Sequence, residues 1–279
     1  MTQSLICGGK FELSDRVAII TGGAGFLGRE HAAAIASAGG TVVLADISGE
    51  RVQQAARDHS RNFSTPVWGA ELDITDHSAV CSFRDQVLQR FGCVDILINN
   101  AANNPKVEEG TGAKWTRMES FSLAQWEADI AVGLTGAFVC SQVLGTEMAS
   151  RRRGVILNVA SHFALIAPDQ RIYRKANTPE DQQPVKPVTY SVVKAALLGL
   201  TRYLATYWAD AGIRVNALSP GGVFNEQPED FVQQISQRIP LGRMAQPDEY
   251  RGAVLFLCSD ASSYMTGANL IVDGGRTCW

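Results

Sequence analysis

No C-x-x-C pair occurs among the six cysteines (Cys7, Cys81, Cys93, Cys140, Cys258 and Cys278), and no histidine cluster lies beside them. Neither a zinc site nor a disulfide framework is therefore expected, and all six are read as thiols. Positive charge is not in surplus either: 25 basic residues face 28 acidic ones, a net charge of −3. That balance offers no electrostatic footprint for nucleic acid or an anionic membrane. No uncharged apolar run approaches the roughly 18 residues of a membrane span, and the opening MTQSLICGGKFELSDR has no basic start followed by a long apolar stretch. A cytoplasmic protein acting on a small molecule is expected, with no metal, nucleic-acid or membrane partner. Linkers, repeats and composition shifts are also missing across the 279 residues, of which 46% are hydrophobic. Disorder is excluded, and a single domain is expected.

What is present is an alternation of short β-branched runs with longer helical patterns. RVAII, TVVLA, VWGAEL, VDILI, GVILNV, IRVNAL and NLIV are too short for amphipathic helices and rich in Val and Ile. About seven strands with helices between them imply an α/β, Rossmann-type doubly wound parallel sheet covered on both faces. Ser122 with Gln125 three residues on has the spacing of a capping box, and Pro247 followed by Asp248 and Glu249 opens another helix. Three irregular stretches, at about 103–120, 164–187 and 221–246, follow strand ends, where open α/β sheets bind ligands.

The segment TGGAGFLG (Thr21 to Gly28) runs from a strand into an alanine-rich helix. Gly22, Gly25 and Gly28 allow a tight turn, close approach of backbone to a pyrophosphate, and close helix packing, while the helix N-terminus offers free N–H groups. A plain strand-to-helix connection is the alternative. Asp46 at the end of the second strand shifts the balance, since a carboxylate there accepts hydrogen bonds from the adenosine ribose and repels a 2′-phosphate. Neither Ile47 nor Ser48 beside it is basic, so NAD is expected over NADP.

Tyr190 and Lys194 in TYSVVKAALLGL stand four apart and share a helix face. A tyrosine of ordinary pKa about 10 must fall by roughly three units to act as a base near neutral pH. A nearby ammonium lowers it, and a cationic nicotinamide ring adds to the effect.

With these pieces in place the chain resembles the short-chain dehydrogenase/reductase family over nearly its whole length. TGGAGFLG, Asp46, LDITD, LINNAA, NVAS, YSVVK, VNALSPGG and the tail GRMAQPDEYRGAVLFLCSDASSYMTGANLIVDGG stand in family order. The resemblance implies a cofactor site of Gly22, Gly25, Phe26, Leu27, Gly28, Asp46, Asp73, Ile74, Asn99, Ala101, Tyr190, Lys194, Pro220, Gly221 and Val223. Within that set Asp73 would meet the adenine ring, Asn99 would lie along the cofactor, and Pro220 to Val223 would hold the carboxamide. It implies Tyr190 as general acid/base, Lys194 as holder of the nicotinamide ribose, and Ser161 as the group polarising the substrate oxygen. A homodimer or homotetramer built on the two long helices before Arg151 and after Pro187 is also implied. Within the family, AVGLTGAFVCSQ, TRYLATYWA, SPGGVFNEQ and DGGRTCW are most similar to the flagellin-modification protein A group, whose members belong to the biosynthesis of sugars for surface glycosylation.

The departures from the family pattern lie close to the expected chemistry. Gly133 in WEADIAVGLTGAF stands where the family has the asparagine of its proton relay, and a glycine is expected there to leave room for solvent at a helix kink. The stretch between Ser161 and Tyr190 is longer than the family's loop. It carries a decoy, Tyr173, with Asn177 and not a lysine four residues on. Arg171, Arg174, Lys175 and Lys186 in that stretch either contact an anionic substrate or form a solvated loop balanced by Glu180 and Asp181. Three functions stay open: NAD-dependent oxidation or reduction of a carbohydrate-derived substrate, the same chemistry on a lipid, steroid or small alcohol, and dinucleotide binding without catalysis.

Overall fold

The computed structural model of the chain describes residues 8–103 and 113–279. Each expected run forms a strand: β1 (Val17–Thr21), β2 (Thr41–Asp46), β3 (Val67–Glu71), β4 (Ile96–Asn99), β5 (Gly154–Val159), β6 (Ile213–Pro220) and β7 (Asn269–Val272). They make one sheet in the order β3-β2-β1-β4-β5-β6-β7, and every pairing is parallel. The helices are α1 (Phe26–Ser37), α2 (Gly49–Asn62), α3 (His77–Phe91), α4 (Leu123–Ile130), α5 (Gly136–Ser150), α6 (Val188–Tyr207), α7 (Glu229–Ser236) and α8 (Arg251–Cys258).

Strand alternation splits the core in two. Ile19, Val43, Leu97, Ile156 and Val215 cluster with Phe83 of α3, Leu144 of α5 and Leu204 of α6. The alternate residues Ala18, Ile20, Val42, Leu44, Ile98 and Leu157 cluster with Ile35 of α1, Val52 of α2 and Leu257 of α8. Burying each such aliphatic side chain contributes about 1.5–3 kcal/mol. Because both faces are covered, the central strands read as continuous apolar runs, as in β1, where all five residues are buried. Among the described residues Cys81, Cys93, Cys140, Cys258 and Cys278 are free thiols, and Cys7 lies outside the described residues.

Local expectations needed three corrections. Ser122 caps α4 by accepting the Gln125 N–H at 3.1 Å, but the Gln125 amide leaves the box open and donates to Asp129 at 2.8 Å. The Pro247 segment is a 3-10 turn (Pro247–Tyr250) that precedes α8, boxed by Gln246 and Glu249. The stretch at 221–246 is not irregular throughout: it contains α7, which follows Pro228 and has Glu229 and Asp230 in its first turn, where acids suit the helix dipole.

The helical stretch Leu123–Ser150 is long and apolar enough to cross a membrane by length and composition, with mean hydropathy 1.4. Over half of it is buried inside the fold, because α5 packs on the sheet. Between α4 and α5 it passes through a π-helical turn, Ala131–Thr135, that contains Gly133. The expected kink is thus a local widening of the helix.

Candidate active site

The C-terminal strand ends converge on one cavity of about 630 Å³. It opens where the strand order reverses about β1, the position that such sheets use for ligands. Gly22 turns there with φ of 62°, and a Cβ on it would sit 2.9 Å from the Ala101 Cα, so glycine is required for the close approach. Gly25, Phe26 and Leu27 line the cavity at the start of α1, which has no side-chain cap and so leaves its N-terminus to a ligand anion. Gly28 does not line the cavity. A Cβ on it would fall on the Gly22 carbonyl, so its place is in packing the turn.

Asp46 is buried at the end of β2, with Oδ2 accepting the Ala24 N–H at 3.1 Å and Oδ1 the Ser48 N–H at 3.2 Å. These bonds aim the carboxylate before any ligand arrives. Asp73 and Ile74 line the same wall, Asp73 accepting from the N–H of Thr75 at 2.9 Å and from its hydroxyl at 2.7 Å. Arg51 of α2 also joins this wall. A scan of Asp46's sequence neighbours misses it, because the first turn of α2 brings it back.

Asn99 is a correction. Its side chain faces the sheet interior, where Nδ2 donates to Ser141 at 3.0 Å and Asn158 at 2.9 Å, tying β4 to α5 and β5. The next residue, Asn100, takes the cavity position, its amide donating to the carbonyls of Thr21 at 3.0 Å and Gly22 at 3.2 Å. Successive side chains at a strand end face opposite ways, so a shift of one residue exchanges the two roles. Ala101, Pro220, Gly221 and Val223 line the cavity as expected.

Ser161, Tyr190 and Lys194 meet at the other end. Ser161 follows β5 and accepts the Phe163 N–H at 3.2 Å, while Tyr190 and Lys194 lie one turn apart on α6. Lys194 is buried, its Nζ donating to the Val159 carbonyl at 2.7 Å and standing 5.9 Å from the centre of the Tyr190 ring. Burial and then the neighbouring Lys186 bring its pKa down to about 8. Burial pushes the Tyr190 phenol up, and the Ser161 hydroxyl pulls it part-way back. The protein's own groups therefore raise this phenol, contrary to the lowering expected from Lys194 alone. Burial disfavours the charged phenolate, and in the protein alone this outweighs the lowering.

A serine, tyrosine and lysine so placed, across a cavity from a glycine turn and an aspartate, match what the comparisons with known proteins return. The family profile described as "short chain dehydrogenase" matches residues 16–173, and one described as "Enoyl-(Acyl carrier protein) reductase" matches residues 180–277. The chain belongs to the short-chain dehydrogenase/reductase family. It is an oxidoreductase acting on CH–OH groups with a nicotinamide dinucleotide. Galactitol 2-dehydrogenase of Rhizobium johnstonii is 35% identical over 97% of this chain and 98% of its own length. Cis-4-hydroxycyclohexanecarboxylate dehydrogenase of Sinomonas cyclohexanicum is 32% identical over 95% and 97%. The crystal structure of a gluconate 5-dehydrogenase from Burkholderia cenocepacia, in complex with NADP and tartrate, superposes with a TM-score of 0.84 at 29% identity, over 98% of this chain and 99% of that one.

This short-chain dehydrogenase packs part of its long Ser161–Tyr190 stretch into a further, smaller core beside the two on the sheet faces. Ile172 and Tyr173 pack against Phe231 and Ile235 of α7, with Ile239 and Met244, and Asp169 bonds Arg238 at 2.8 Å. The decoy Tyr173 therefore lines the main cavity, with its ring 5.7 Å from that of Phe231. Of the four cations in the stretch only Lys186 reaches that cavity, its Nζ 3.9 Å from the Tyr190 ring centre. Arg171 pairs with Asp169 and Arg174 with Glu180. The loop at 103–120 lies largely outside the described residues. Gly133 is buried against α6, where an added Cβ would meet Val193 Cγ1 at 2.5 Å. Val193 takes most of the room expected at this glycine, and a cavity of about 10 Å³ remains beside it.

Proposed function

We propose that the protein is an NAD-dependent dehydrogenase of a polyhydroxylated, carbohydrate-derived alcohol. The observation that carries this reading is the composition of one cavity: Asp46, aimed by two backbone N–H groups, at one end, and Ser161, Tyr190 and Lys194 at the other, beside Asn225, Gln227 and Lys186. The amides and the lysine suit hydroxyl and carboxylate groups. The bound cofactor supplies hydride exchange at the nicotinamide. Ser161 holds the substrate oxygen, Tyr190 moves its proton, and Lys194 keeps Tyr190's surroundings cationic. The galactitol and gluconate enzymes among its relatives support a polyol or sugar acid. A narrower role, in making sugars for surface glycosylation, rests on the segments AVGLTGAFVCSQ and TRYLATYWA.

Two observations favour second readings. Arg51 on the cofactor wall suits a 2′-phosphate, so NADP competes with NAD. Phe231, Ile235 and Met244 give the substrate end an apolar side that suits a cyclic or acyl alcohol. An absorbance screen of NAD and NADP against polyols, sugar acids, nucleotide sugars and cyclic alcohols decides among them. Turnover of polyols or sugar acids with NAD at least tenfold above the other combinations is expected. Turnover confined to cyclic or acyl alcohols overturns the substrate reading, and preference for NADP overturns the cofactor reading. We also propose a homodimer or homotetramer through α5 and α6, where Phe138, Val192, Tyr203 and Tyr207 are exposed. The exposed free thiol of Cys278 suits a reducing cytoplasm.

A further inference from the structure

A lysine stands four residues to either side of the reacting tyrosine: Lys186, Tyr190, Lys194. Lys194 follows Tyr190 by one turn of α6, whereas Lys186 lies outside the helix, with Pro187 between it and the first helical residue, Val188. A residue before proline is confined to extended backbone. Lys186 is also gripped from outside. The Gln170 side chain accepts the Lys186 N–H at 2.8 Å, and its amide donates to the Lys186 carbonyl at 3.5 Å. The long Ser161–Tyr190 stretch, which departs from the family's short loop, thus supplies both this lysine and the clamp that holds it.

So fixed, Lys186 lays its ammonium on the face of the Tyr190 ring, with Nζ 3.9 Å from the ring centre against 5.9 Å for Lys194. Burial brings the Lys186 pKa down to about 8, so the group is still largely charged at neutral pH. A cation on an aromatic face is attracted by the ring, and the attraction grows when the hydroxyl loses its proton and the ring carries negative charge. Among the described residues, the other titratable groups that line the cavities around this pair are Lys194, Tyr173, His162, Asp129, Arg117 and Glu119. Arg117 pairs with Glu119 at 3.3 Å, Asp129 is bonded to the Thr189 hydroxyl at 2.5 Å, and burial favours the neutral forms of His162 and Tyr173. Lys186 and Lys194 are the cations set against the Tyr190 ring.

We propose that Lys186, seated on the Tyr190 ring by the long stretch, stabilises the phenolate form of this tyrosine, so that the proton-moving group works against two cations. Lys186 neither gives nor takes the proton; it acts through Tyr190 and is a positioning residue. Burial alone disfavours the phenolate, and Lys186 opposes it from the ring face while Lys194 does so from the next turn. A cation favours the ionised phenol, so removing it moves ionisation to higher pH. An opposite charge within about 4–6 Å is worth about one unit or more. The inference rests on Tyr190 as the group that moves the proton and not on the polyol reading.

Lys186→Met and Lys186→Gln remove the charge at similar length, and Lys186→Arg keeps it. The substrate is the best neutral alcohol of the screen, which leaves any anion binding by Lys186 out of the measurement. Oxidation needs the phenolate, so kcat should rise with pH, and in the Met and Gln variants that rise should move up by about one unit. The loss is then about tenfold near pH 7 and less than about twofold on the alkaline plateau. Lys186→Arg should keep the profile of the wild type. Ultraviolet titration of phenolate absorbance, taken as the difference from Tyr190→Phe, should show the same displacement with no substrate present. A profile and a phenolate titration unchanged in Lys186→Met and Lys186→Gln overturn the proposal. So does an equal loss at every pH that Lys186→Arg fails to restore, which marks a structural role only. Full turnover in Tyr190→Phe removes the acid/base reading itself, and the phenolate titration then decides the Lys186 claim alone.

Discussion

Asp46 and Tyr190 stand at opposite ends of one cavity, and the protein holds them by different means. At the Asp46 end, backbone does the holding. N–H groups of Ala24 and Ser48 fix the carboxylate, the Thr21 hydroxyl takes the N–H groups of Asn100 and Ala101 at 3.1 and 3.2 Å, and Gly22 and Gly28 allow no side chain. At the Tyr190 end, side chains from three separate segments make the surface: Ser161 beyond β5, Lys186 from the long stretch, and Phe231 and Ile235 from α7. The first arrangement is made largely of backbone groups and suits one chemistry, the grip on a dinucleotide. The second is made of side chains, which can be exchanged for another substrate without moving the scaffold.

The largest test of this contrast removes the Tyr190 hydroxyl. Tyr190→Phe keeps a ring of the same size but has no proton to move, so turnover should fall about a thousandfold, within the usual range for a general acid/base. Calorimetric NAD affinity should change less than twofold. A parallel loss of affinity would mean that the two ends are not separable.

Next comes the buried imidazole behind the nucleotide turn. His31 on α1 is fully buried, and desolvation brings its pKa down to about 4 from 6.5. The folded protein keeps it neutral while the unfolded chain binds a proton below about pH 6.5. This contribution is therefore complete above pH 6.5 and is lost as pH falls toward 4, up to about 3 kcal/mol. Denaturant titrations across that window should show the decline, and His31→Leu should flatten it. An unchanged slope in the variant would assign the decline to carboxylates.

Gly133 sits beside the Tyr190 end, where the π turn meets Val193. Gly133→Ala should cost about 1–3 kcal/mol, as overpacked sites do, measured as a lower urea midpoint. Val193→Ala in the same chain should recover part of that cost. Without recovery, the π turn itself and not the contact demands glycine.

The smallest expected effect is at Tyr173. Its ring packs on Phe231 and has no lysine one turn away, so Tyr173→Phe should alter kcat less than about threefold. A loss equal to that of Tyr190→Phe would make it a second proton-moving group and erase the contrast between them.

Features written in local pattern were legible in the sequence. The β-branched runs, too short for amphipathic helices, read as strands, the glycines of TGGAGFLG marked a tight turn, and the four-residue spacing put Tyr190 and Lys194 on one face of α6. Asn99 and Asn100 could not be told apart, because which of two adjacent side chains faces the cleft depends on the exact end of β4. Arg51 carried no local sign, since it reaches the cofactor wall through the α2 turn. Period and turn chemistry fix the backbone segment by segment. Contacts between segments dozens of residues apart are set by crossovers and packing, so the glycine turn and Asp46 were visible in the chain while Arg51 and the substrate wall were decided only in three dimensions.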